Sequence, residues 1–562
     1  MLKKWGLILV LILVLAGGLR LWQANTFDIY TDQALYAFRA LSWSDFMGVG
    51  DKQTTPLQWY QTVPSWSRLS FSDGPPLGFA VEYISLNIFG TSPLTARLPF
   101  IIFSLLAILL LFWGVRRLAS ERAALLATFV FAISSYSVWT ALAGNLEGLL
   151  ILFVAGAIIF PALYRQEGKM KWFYAWVICL GLGFLTKYTF IFALPAGLLM
   201  MWWPLKVSPK LKHLFFGFLI LILLLSPVLI YNYNVYQTRG HFDAALSSMI
   251  GMHPEDFVGI ANRGVTFNPL ANLADIGRTL AQNNSVPFLA LVIVSLIYLL
   301  YLLYRRRAST LSQSLLTHSL FLVLMFLFLS PATRFLSVFI PIIAVVVAVS
   351  LDRWWEFLAG NRLLYRYIFT GLIILILTAE LFYSLNTNVF TKPVLTSPWF
   401  YAPDRYYDHG FYQAEQWWRQ NLYPILPASQ QLTAASGLDL MGDDFAGRPV
   451  IIYDDSIIWF GRIWHFERYK AFYRLPIIPV SYLIEQGPKA NSFLQEMLTL
   501  SGQPSYFIYA PNQTNLDSIR ATETARRAYI KNLADSLRRK NGPPAVVIKD
   551  YQGETALEIY QF

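Results

Sequence analysis

Hydrophobic and polar positions follow one another along most of the chain in a pattern typical of membrane-spanning helices. About eleven apolar segments are each long enough to cross a hydrocarbon core of about 30 Å at about 1.5 Å per residue. The predicted spans lie near residues 5–22, 96–115, 123–142, 147–164, 172–187, 189–204, 214–232, 286–304, 315–330, 334–351 and 364–384. The pattern therefore predicts a polytopic α-helical membrane domain over residues 1–385. We expect the first span to be a retained anchor, because it lacks a clear signal-peptide cleavage site.

The pattern changes after residue 385. Alternating apolar stretches such as PVIIYDD, SYFIYAP and AVVIKDY are interleaved with helical stretches such as YQAEQWWRQNL. The last stretch predicts a closing hairpin with its turn at Gln552-Gly553. Residues 386–562 are therefore predicted to form a mixed α/β domain.

Composition and charge agree with the membrane class and set its orientation. Hydrophobic residues make up 56% of the chain and charged residues 14%, whereas soluble domains carry about 25% charged residues. The net charge of +11 comes from short Lys and Arg clusters between apolar segments, as the positive-inside rule expects. We therefore expect membrane lipids and no nucleic acid as partners. With the N-terminus in the cytoplasm, an odd number of spans places the C-terminal domain outside.

The single cysteine, Cys179, lies in an apolar run, so a disulfide framework or a cysteine metal cluster is not available.

Two long loops face outward in this topology, 23–95 and 233–285. Within the first, residues 75–90 are too short and too interrupted to cross the membrane, and they predict an amphipathic helix at the outer interface. The second loop either covers a substrate or is a polar surface, and the sequence leaves both open. The chemistry-bearing residues that follow lie in these loops or at the outer ends of spans.

Carboxylates stand out in the first loop. Asp28 and Asp32 come directly after the first span, and Asp73 precedes the Gly-Pro-Pro start of the interfacial helix. Asp32 begins a helical stretch, ALYAFRAL, with apolar residues on one face. One explanation is purely structural, with Thr31 as the cap and Asp32 favoured by the helix dipole. The other is a chemical role, and spacing alone does not separate the two.

Three cations lie at the outer ends of spans, where positive charge is uncommon. They are Arg97, Lys187 and Arg334. Any one of them could reach the interface without a function. Three cations at the same level as a carboxylate-bearing loop are better explained by a shared anionic ligand, since charges within a membrane generally need a partner. Two cations converging on one phosphate are a common way to hold it.

Four stretches in this order resemble a known group: YTDQALYAFRAL, DGPPLGFAVEYISLNIFGTSPLTARLP, GFLTKYTFIFALP and TRFLSVFIPIIAVV. They look like the polyprenyl-phosphate-sugar-dependent membrane glycosyltransferases of the protein O-mannosyltransferase and lipid A aminoarabinose-transferase group, over roughly residues 1–385. The resemblance implies a C-type glycosyltransferase fold with its active site at the outer surface under the first loop. It also gives Asp32 the role of base. The chain departs from the group at Gln33, where relatives carry Glu, and at Gly74, where many carry His or Lys.

The implied reaction is inverting transfer of a sugar from a polyprenyl-phosphate donor to an acceptor hydroxyl on a protein, glycan or lipid. The phosphate is already a good leaving group, so the enzyme mainly stabilises its growing charge. Arg97, Lys187 and Arg334 are the candidates for this. Asp32 would take the acceptor proton, with Asp28 and Asp73 as secondary carboxylates. The scheme requires no metal and no cofactor, and a bacterial cytoplasmic membrane is the expected location.

Two other classes remain open. A catalytically inactive relative could act as a lipid-glycan binding or assembly subunit, which the Gln33 departure makes conceivable. A secondary transporter would also be a basic, multi-span protein, but its polar residues should gather near the membrane midplane. Here they gather at the outer rim, with Asn145 and Glu147 as the nearest exception.

Overall fold

Long apolar runs become helices in this chain, because a helix satisfies its backbone polar groups internally wherever lipid supplies no partners. The computed structural model describes residues 2–47, 54–202, 209–257, 268–329, 331–359, 363–390, 392–402, 408–429, 432, 445–512 and 521–562. The chain divides into two compact units. The first comprises Met1–Ala24 and Pro64–Arg405, and the second comprises Asn25–Val63 and Tyr406–Phe562.

The regular secondary structure of the first unit's described residues is helical, apart from one isolated bridge between Phe71 and Gly74. Its α-helices are Leu2–Leu21, Leu77–Phe89, Pro93–Leu118, Glu121–Ile133, Ser135–Leu142, Leu146–Glu167, Met170–Thr186, Ala193–Trp202, Leu211–Arg239, Ala244–Met249, Pro269–Gln282, Val286–Tyr304, Thr310–Phe328, Ile340–Ala359 and Leu363–Asn388. Short 3₁₀ helices cover Ser65–Leu69, Tyr188–Phe192, Glu255–Phe257 and Phe335–Phe339. Among the described residues, seven helices are long and apolar enough to cross a membrane, or eight if the bent pair Glu121–Ile133 and Ser135–Leu142 is one span. The protein is therefore an integral membrane protein.

The predicted spans coincide with helices, but not all of these helices reach full spanning length. The spans predicted near 172–187 and 189–204 fall on the shorter helices Met170–Thr186 and Ala193–Trp202, and the span near 5–22 falls on the 20-residue helix Leu2–Leu21. Among the described residues, length and composition support seven or eight of the roughly eleven predicted spans. A helix, Leu77–Phe89, is present where the interfacial helix is predicted, and it begins directly after Pro76. Its position at the interface stays a prediction.

The helices Glu121–Ile133 and Ser135–Leu142 meet at Ser134 with a bend of 57°. The carboxylate of Glu380, fully buried in the last membrane helix, accepts the backbone N–H of Ser135 at 3.1 Å and that of Ser285 at 2.8 Å. Asn388 donates to the Ser135 carbonyl at 3.1 Å. A break in a buried helix leaves backbone groups without their intrahelical partners. Side chains of the last helix supply these partners and stabilise the bend.

The second unit contains a five-stranded sheet. Its strands are β1 (Ile451–Tyr453), β2 (Ile477–Pro479), β3 (Tyr506–Tyr509), β4 (Val546–Lys549) and β5 (Thr555–Gln561). Their order is β2-β1-β3-β5-β4. The first three strands are parallel, whereas β5 is antiparallel to both β3 and β4. The predicted mixed α/β domain and its closing hairpin are confirmed, and Gly553 in the turn adopts a φ of 84°, which favours glycine.

Helices cover this sheet. Those of the second unit are Asp32–Ser42, Pro56–Trp59, Phe411–Asn421, Trp459–Arg462, the π-helical turn Ile463–Glu467, Arg468–Tyr473, Val480–Glu485, the 3₁₀ turn Gly487–Lys489, Ala490–Ser501 and Ala521–Asn541. Apolar side chains of the strands and helices form its core, with Trp418, Ile451 and Ile508 among the fully buried members. The helix Asp32–Ser42 belongs to this unit, and the ring of its Phe38 packs 4.8 Å from that of Phe472.

The division of the chain differs from the one predicted. The sequence predicts one membrane domain over 1–385 with 23–95 as its first loop, whereas Asn25–Val63 groups with the C-terminal sheet domain. The reason is a set of contacts between residues far apart in sequence. Asp28 hydrogen-bonds residues 381 to 384 positions away, and Tyr30 packs against the core of the sheet domain.

Candidate active site

The start of the helix Asp32–Ser42 presents the carboxylate to which the sequence assigns a chemical role. Thr31 is the N-cap, and its hydroxyl accepts the backbone N–H of Gln33 at 3.4 Å. Asp32 is the first helical residue and is half-buried. A carboxylate in this position interacts favourably with the N-terminal end of the helix dipole. The predicted helix start is confirmed, and the chemical role of Asp32 stays a prediction.

Asp28 lies in the same segment but has a different environment. Its side chain is buried, and its two oxygens accept the backbone N–H groups of His409 at 2.6 Å, Phe411 at 3.3 Å and Tyr412 at 2.7 Å. These donors surround the first turn of the helix Phe411–Asn421, whose N–H groups lack intrahelical acceptors. Asp28 therefore caps that helix from a distant part of the chain, and this accounts for its burial.

Replacing Asp28 with alanine is expected to destabilise the protein by about 3 kcal/mol or more, because three N–H groups lose a charged acceptor. Asp28→Asn keeps one acceptor oxygen and should lose less. Thermal unfolding of the purified protein in detergent measures both effects. Glu496→Ala, at an exposed position of the same unit, is the control that should leave stability unchanged. Equal stability of Asp28→Ala and the control would contradict the capping role.

The first unit brings two of the three predicted cations together. Lys187 Nζ lies 3.8 Å from the centre of the Phe335 ring, and the Arg334 guanidinium carbon lies 5.0 Å from the same centre. An ammonium or guanidinium over an aromatic face is stabilised by the ring quadrupole. We call Lys187, Arg334, Phe335 and Glu147 the cation cluster.

Glu147 is the carboxylate of the cation cluster, and it accepts a short hydrogen bond from Lys187 Nζ. The Glu147 side chain is 1% exposed and that of Lys187 is 16% exposed. Glu147 lies in the first turn of the helix Leu146–Glu167, after Asn145. The sequence marks Glu147 only as an exception to its topology, and the pairing with Lys187 gives it a place in the site.

Arg97 makes a separate contact. It is buried in the helix Pro93–Leu118, and its guanidinium donates to the Ala24 carbonyl at 2.8 Å. A guanidinium has five N–H donors, so this bond leaves most of its donor capacity to other groups. The contacts of Arg97 thus join the end of the first membrane helix to the start of the third apolar helix of the first unit.

Asp73 lies beside a buried carboxylate that the sequence does not single out. Asp243 is fully buried, and one of its oxygens accepts hydrogen bonds from Tyr188 at 2.6 Å and Asn232 at 2.8 Å. The backbone N–H of Ala244 donates to the Ser72 carbonyl at 2.6 Å. This network connects the turn that contains Asp73 to Tyr188, the residue after Lys187. The one feature of the sequence that marks Asp243 is its position directly before the short helix Ala244–Met249, which it caps.

Burial raises the pKa of Asp243 to about 6, with the negative charge of Asp73 adding to the rise and hydrogen bonds from Leu246, Tyr188 and Asn232 opposing it. A carboxyl whose folded pKa is raised binds protons more tightly in the folded state. The free energy of unfolding should therefore fall by about 3 kcal/mol as the pH rises from about 4 to about 6. In Asp243→Asn this part of the slope should disappear. Thermal unfolding between pH 4 and 7 tests this, and an unchanged slope in the variant would contradict it.

The fold is similar to that of solved membrane glycosyltransferases. The crystal structure of the Archaeoglobus fulgidus oligosaccharyltransferase in the apo form matches 90% of this chain and 69% of that chain, with a TM-score of 0.50 and 15% identity. ArnT from Cupriavidus metallidurans in the apo state matches 100% of this chain and 98% of that chain, with a TM-score of 0.48 and 14% identity. The predicted fold class, a polytopic helical domain of C-type glycosyltransferase fold with an α/β domain, is confirmed.

The sequence comparisons match part of the chain. The family model for dolichyl-phosphate-mannose-protein mannosyltransferase matches residues 73–231. The putative mannosyltransferase YkcB of Bacillus subtilis (strain 168) is 28% identical over 187 residues, which are 33% of this chain. The chain spans 25% of the length of that curated relative. The resemblance drawn from the sequence is confirmed. The family match includes Asp73, Arg97 and Lys187, whereas Asp32 and Arg334 lie outside it.

Proposed function

We propose that this protein is an inverting glycosyltransferase that moves a sugar from a polyprenyl-phosphate donor to an acceptor hydroxyl. The observation that carries the proposal is the cation cluster, in which Lys187 and Arg334 both lie within 5.0 Å of the centre of one aromatic ring, in a chain with the fold of a membrane glycosyltransferase. The family description supports the same chemistry, since a dolichyl phosphate is a polyprenyl-type lipid phosphate.

The donor phosphate is the proposed ligand of the cations. As the bond from the anomeric carbon to the phosphate oxygen breaks, its electron pair stays on that oxygen and negative charge grows there. Arg334, whose planar guanidinium can donate two parallel hydrogen bonds, suits a phosphate. Lys187 contributes a point charge, which its bond to Glu147 holds in place. Arg97 completes the set as a third proposed donor to the phosphate.

Asp32 is the proposed general base. It accepts the proton of the acceptor hydroxyl while the acceptor oxygen forms its bond to the anomeric carbon on the face opposite the leaving phosphate. One displacement without an enzyme nucleophile inverts the configuration at that carbon. The proton then rests on the Asp32 carboxyl, and the polyprenyl phosphate leaves with its charge. The scheme uses Asp73 as a secondary carboxylate near the donor side and leaves Asp28 to its capping bonds.

The proposed setting is the outer face of a bacterial cytoplasmic membrane. The N-terminus lies in the cytoplasm and the sheet domain lies outside. The support is the distribution of Lys and Arg clusters, such as Arg116-Arg117 and Arg305 to Arg307, which this orientation keeps inside. The acceptor is a protein, a glycan or a lipid that carries a free hydroxyl.

The test is sugar transfer or hydrolysis by the purified protein in detergent, with a set of radiolabelled polyprenyl-phosphate sugars that includes mannose. The proposal expects turnover with at least one donor and inversion at the anomeric carbon of the product. Arg334→Ala should lower kcat by about 100-fold, because it removes charge stabilisation at the leaving phosphate. Arg539→Ala, at an exposed position in the second unit, is the matched arginine control. A folded protein that binds these lipids without turnover would favour the binding or assembly subunit instead.

A further inference from the structure

The segment that leads into Asp32 is fixed from within the second unit by a histidine. The backbone N–H of Ile29 donates to His465 Nε2 at 3.2 Å, and both residues are fully buried. His465 lies in the π-helical turn Ile463–Glu467. Turns of this type often occur at functional sites. Together with the capping bonds of Asp28, this contact anchors two consecutive residues of the segment.

The hydrogen bonds of His465 define its protonation state. A backbone N–H can only donate, so Nε2 of His465 must be the acceptor and carries no proton. The other ring nitrogen, Nδ1, lies 2.6 Å from Oε2 of Glu415. A carboxylate accepts, and Nδ1 therefore carries the proton. His465 is thus a neutral imidazole whose tautomer is set by Glu415, and it works as an acceptor for the chain at Ile29.

Glu415 is itself held in one orientation. Its other oxygen, Oε1, accepts short hydrogen bonds from Arg468 and from the Tyr469 hydroxyl. Arg468 also donates to the Tyr469 hydroxyl at 2.7 Å and lies over the Trp464 ring at 3.8 Å. Burial raises the pKa of Glu415, but the Arg468 charge and the bond to His465 outweigh it and leave the pKa below its ordinary value. Glu415 is therefore the ionised acceptor that this geometry requires.

We propose that His465, oriented by Glu415, is a positioning residue for Asp32. The inference rests on the proposed function, because it assigns His465 to the placement of the proposed base. Backbone N–H groups of the second unit fix the Asp28 carboxylate, and the His465 side chain fixes the backbone of Ile29. The chain needs only Tyr30 and Thr31 to reach Asp32. Two anchored neighbours define both the position and the direction of the segment. A displacement of about 1 Å in a reacting group can lower the rate about 100-fold, so the hydrogen bond at Ile29 matters for chemistry as well as for folding.

Two substitutions at one position separate positioning from packing. The amide of glutamine reaches as far as Nε2 of histidine, so His465→Gln can still accept the Ile29 N–H while it loses the bond to Glu415. The amide of asparagine reaches as far as Nδ1, so His465→Asn can still donate to Glu415 while it loses the acceptor for Ile29. If His465 positions Asp32, His465→Asn should lower kcat by about 100-fold with little change in the KM of the donor. His465→Gln should stay close to the wild type.

The opposite order of the two variants, or an equal loss that follows their thermal stability, would overturn the proposal. Hydrogen exchange gives a second readout that does not depend on activity. Peptides that contain Ile29 should exchange faster in full-length His465→Asn than in the wild type, and His465→Gln should keep the protection.

The two readouts keep this inference distinct from the proposed function. In one outcome, His465→Asn loses the protection of Ile29 and the wild-type protein transfers no sugar from any donor. That result would support the anchoring of the segment and count against the proposed function. An active protein whose kcat is unaffected by His465→Asn would support the proposed function and overturn the positioning role. Equal protection in all three proteins would overturn the anchoring as well.

Discussion

Asp32→Asn is expected to lower the kcat of glycosyl transfer by about 100-fold to 10,000-fold, the range that general base catalysis contributes. Asparagine has nearly the same shape and cannot take a proton at neutral pH. Thr31 would still cap the helix, so the fold should survive. The loss of one favourable charge at a helix start costs about 0.3 to 1 kcal/mol. The measurement is kcat and KM with a radiolabelled polyprenyl-phosphate sugar, alongside thermal unfolding.

Glu121→Gln is the matched control for this experiment. Glu121 is also the first residue of a helix and also follows a capping hydroxyl residue, Ser120, but no chemical role is proposed for it. It should lose a similar small amount of stability and keep its activity. If Asp32→Asn kept full activity, the carboxylate would be reduced to a helix-start residue. If both variants lost activity together with stability, the effect would be structural.

Removal of Glu147 is expected to destabilise the protein strongly. In Glu147→Gln the ammonium of Lys187 loses its carboxylate in a site where the lysine side chain is 16% exposed. Breaking a buried ion pair by removing one partner costs about 3 to 5 kcal/mol. Lys187→Met should cost a similar amount, because it leaves the 1% exposed Glu147 carboxylate unpaired. The double variant should recover most of the loss, since neither charge then remains.

A double-mutant cycle on the free energy of unfolding measures this coupling, for example by steric trapping in bicelles. The exposed pair Arg278 and Asp275, with side chains 68% and 43% exposed, is the control cycle and should show almost no coupling. Additive losses at Glu147 and Lys187 would contradict the expected interaction. The KM of the donor, measured in the same variants, distinguishes an effect on phosphate binding from an effect on stability. Lys187→Met should raise this KM, and the variants of the control pair should not.

The elements that follow from local pattern were predictable. Apolar runs gave the helices, alternation gave the closing hairpin at Gln552-Gly553, and a cap followed by an amphipathic stretch gave the start of the helix at Asp32. Each depends on residues within a few positions of one another. Hydropathy located the shorter helix Met170–Thr186 as well as the long ones, but it does not measure where a helix ends.

The parts that depend on distant contacts were not predictable from pattern. Asp28 and Asp32 look alike in sequence, yet the Asp28 carboxylate accepts hydrogen bonds from backbone N–H groups 381 to 384 positions away. Asp243 and Glu147 stand among ordinary loop and helix-start residues, and only their partners Tyr188 and Lys187 reveal them. A single sequence contains no signal for pairings of this kind, so the grouping of the first loop with the sheet domain could be learned only from the structure.

The discontinuous second unit has a consequence for the order in which the protein is made. Residues 25–63 leave the ribosome long before Tyr406–Phe562, and the membrane helices from Pro93–Leu118 to Leu363–Asn388 are made in between. The hydrogen bonds of Asp28 and Ile29 therefore cannot form until His409 and His465 have been synthesised and the sheet domain has begun to fold. A chain that stops early inserts its helices but leaves the Asp32 segment unanchored. The Asp32 segment of the first loop can therefore be anchored only after the last domain has been synthesised.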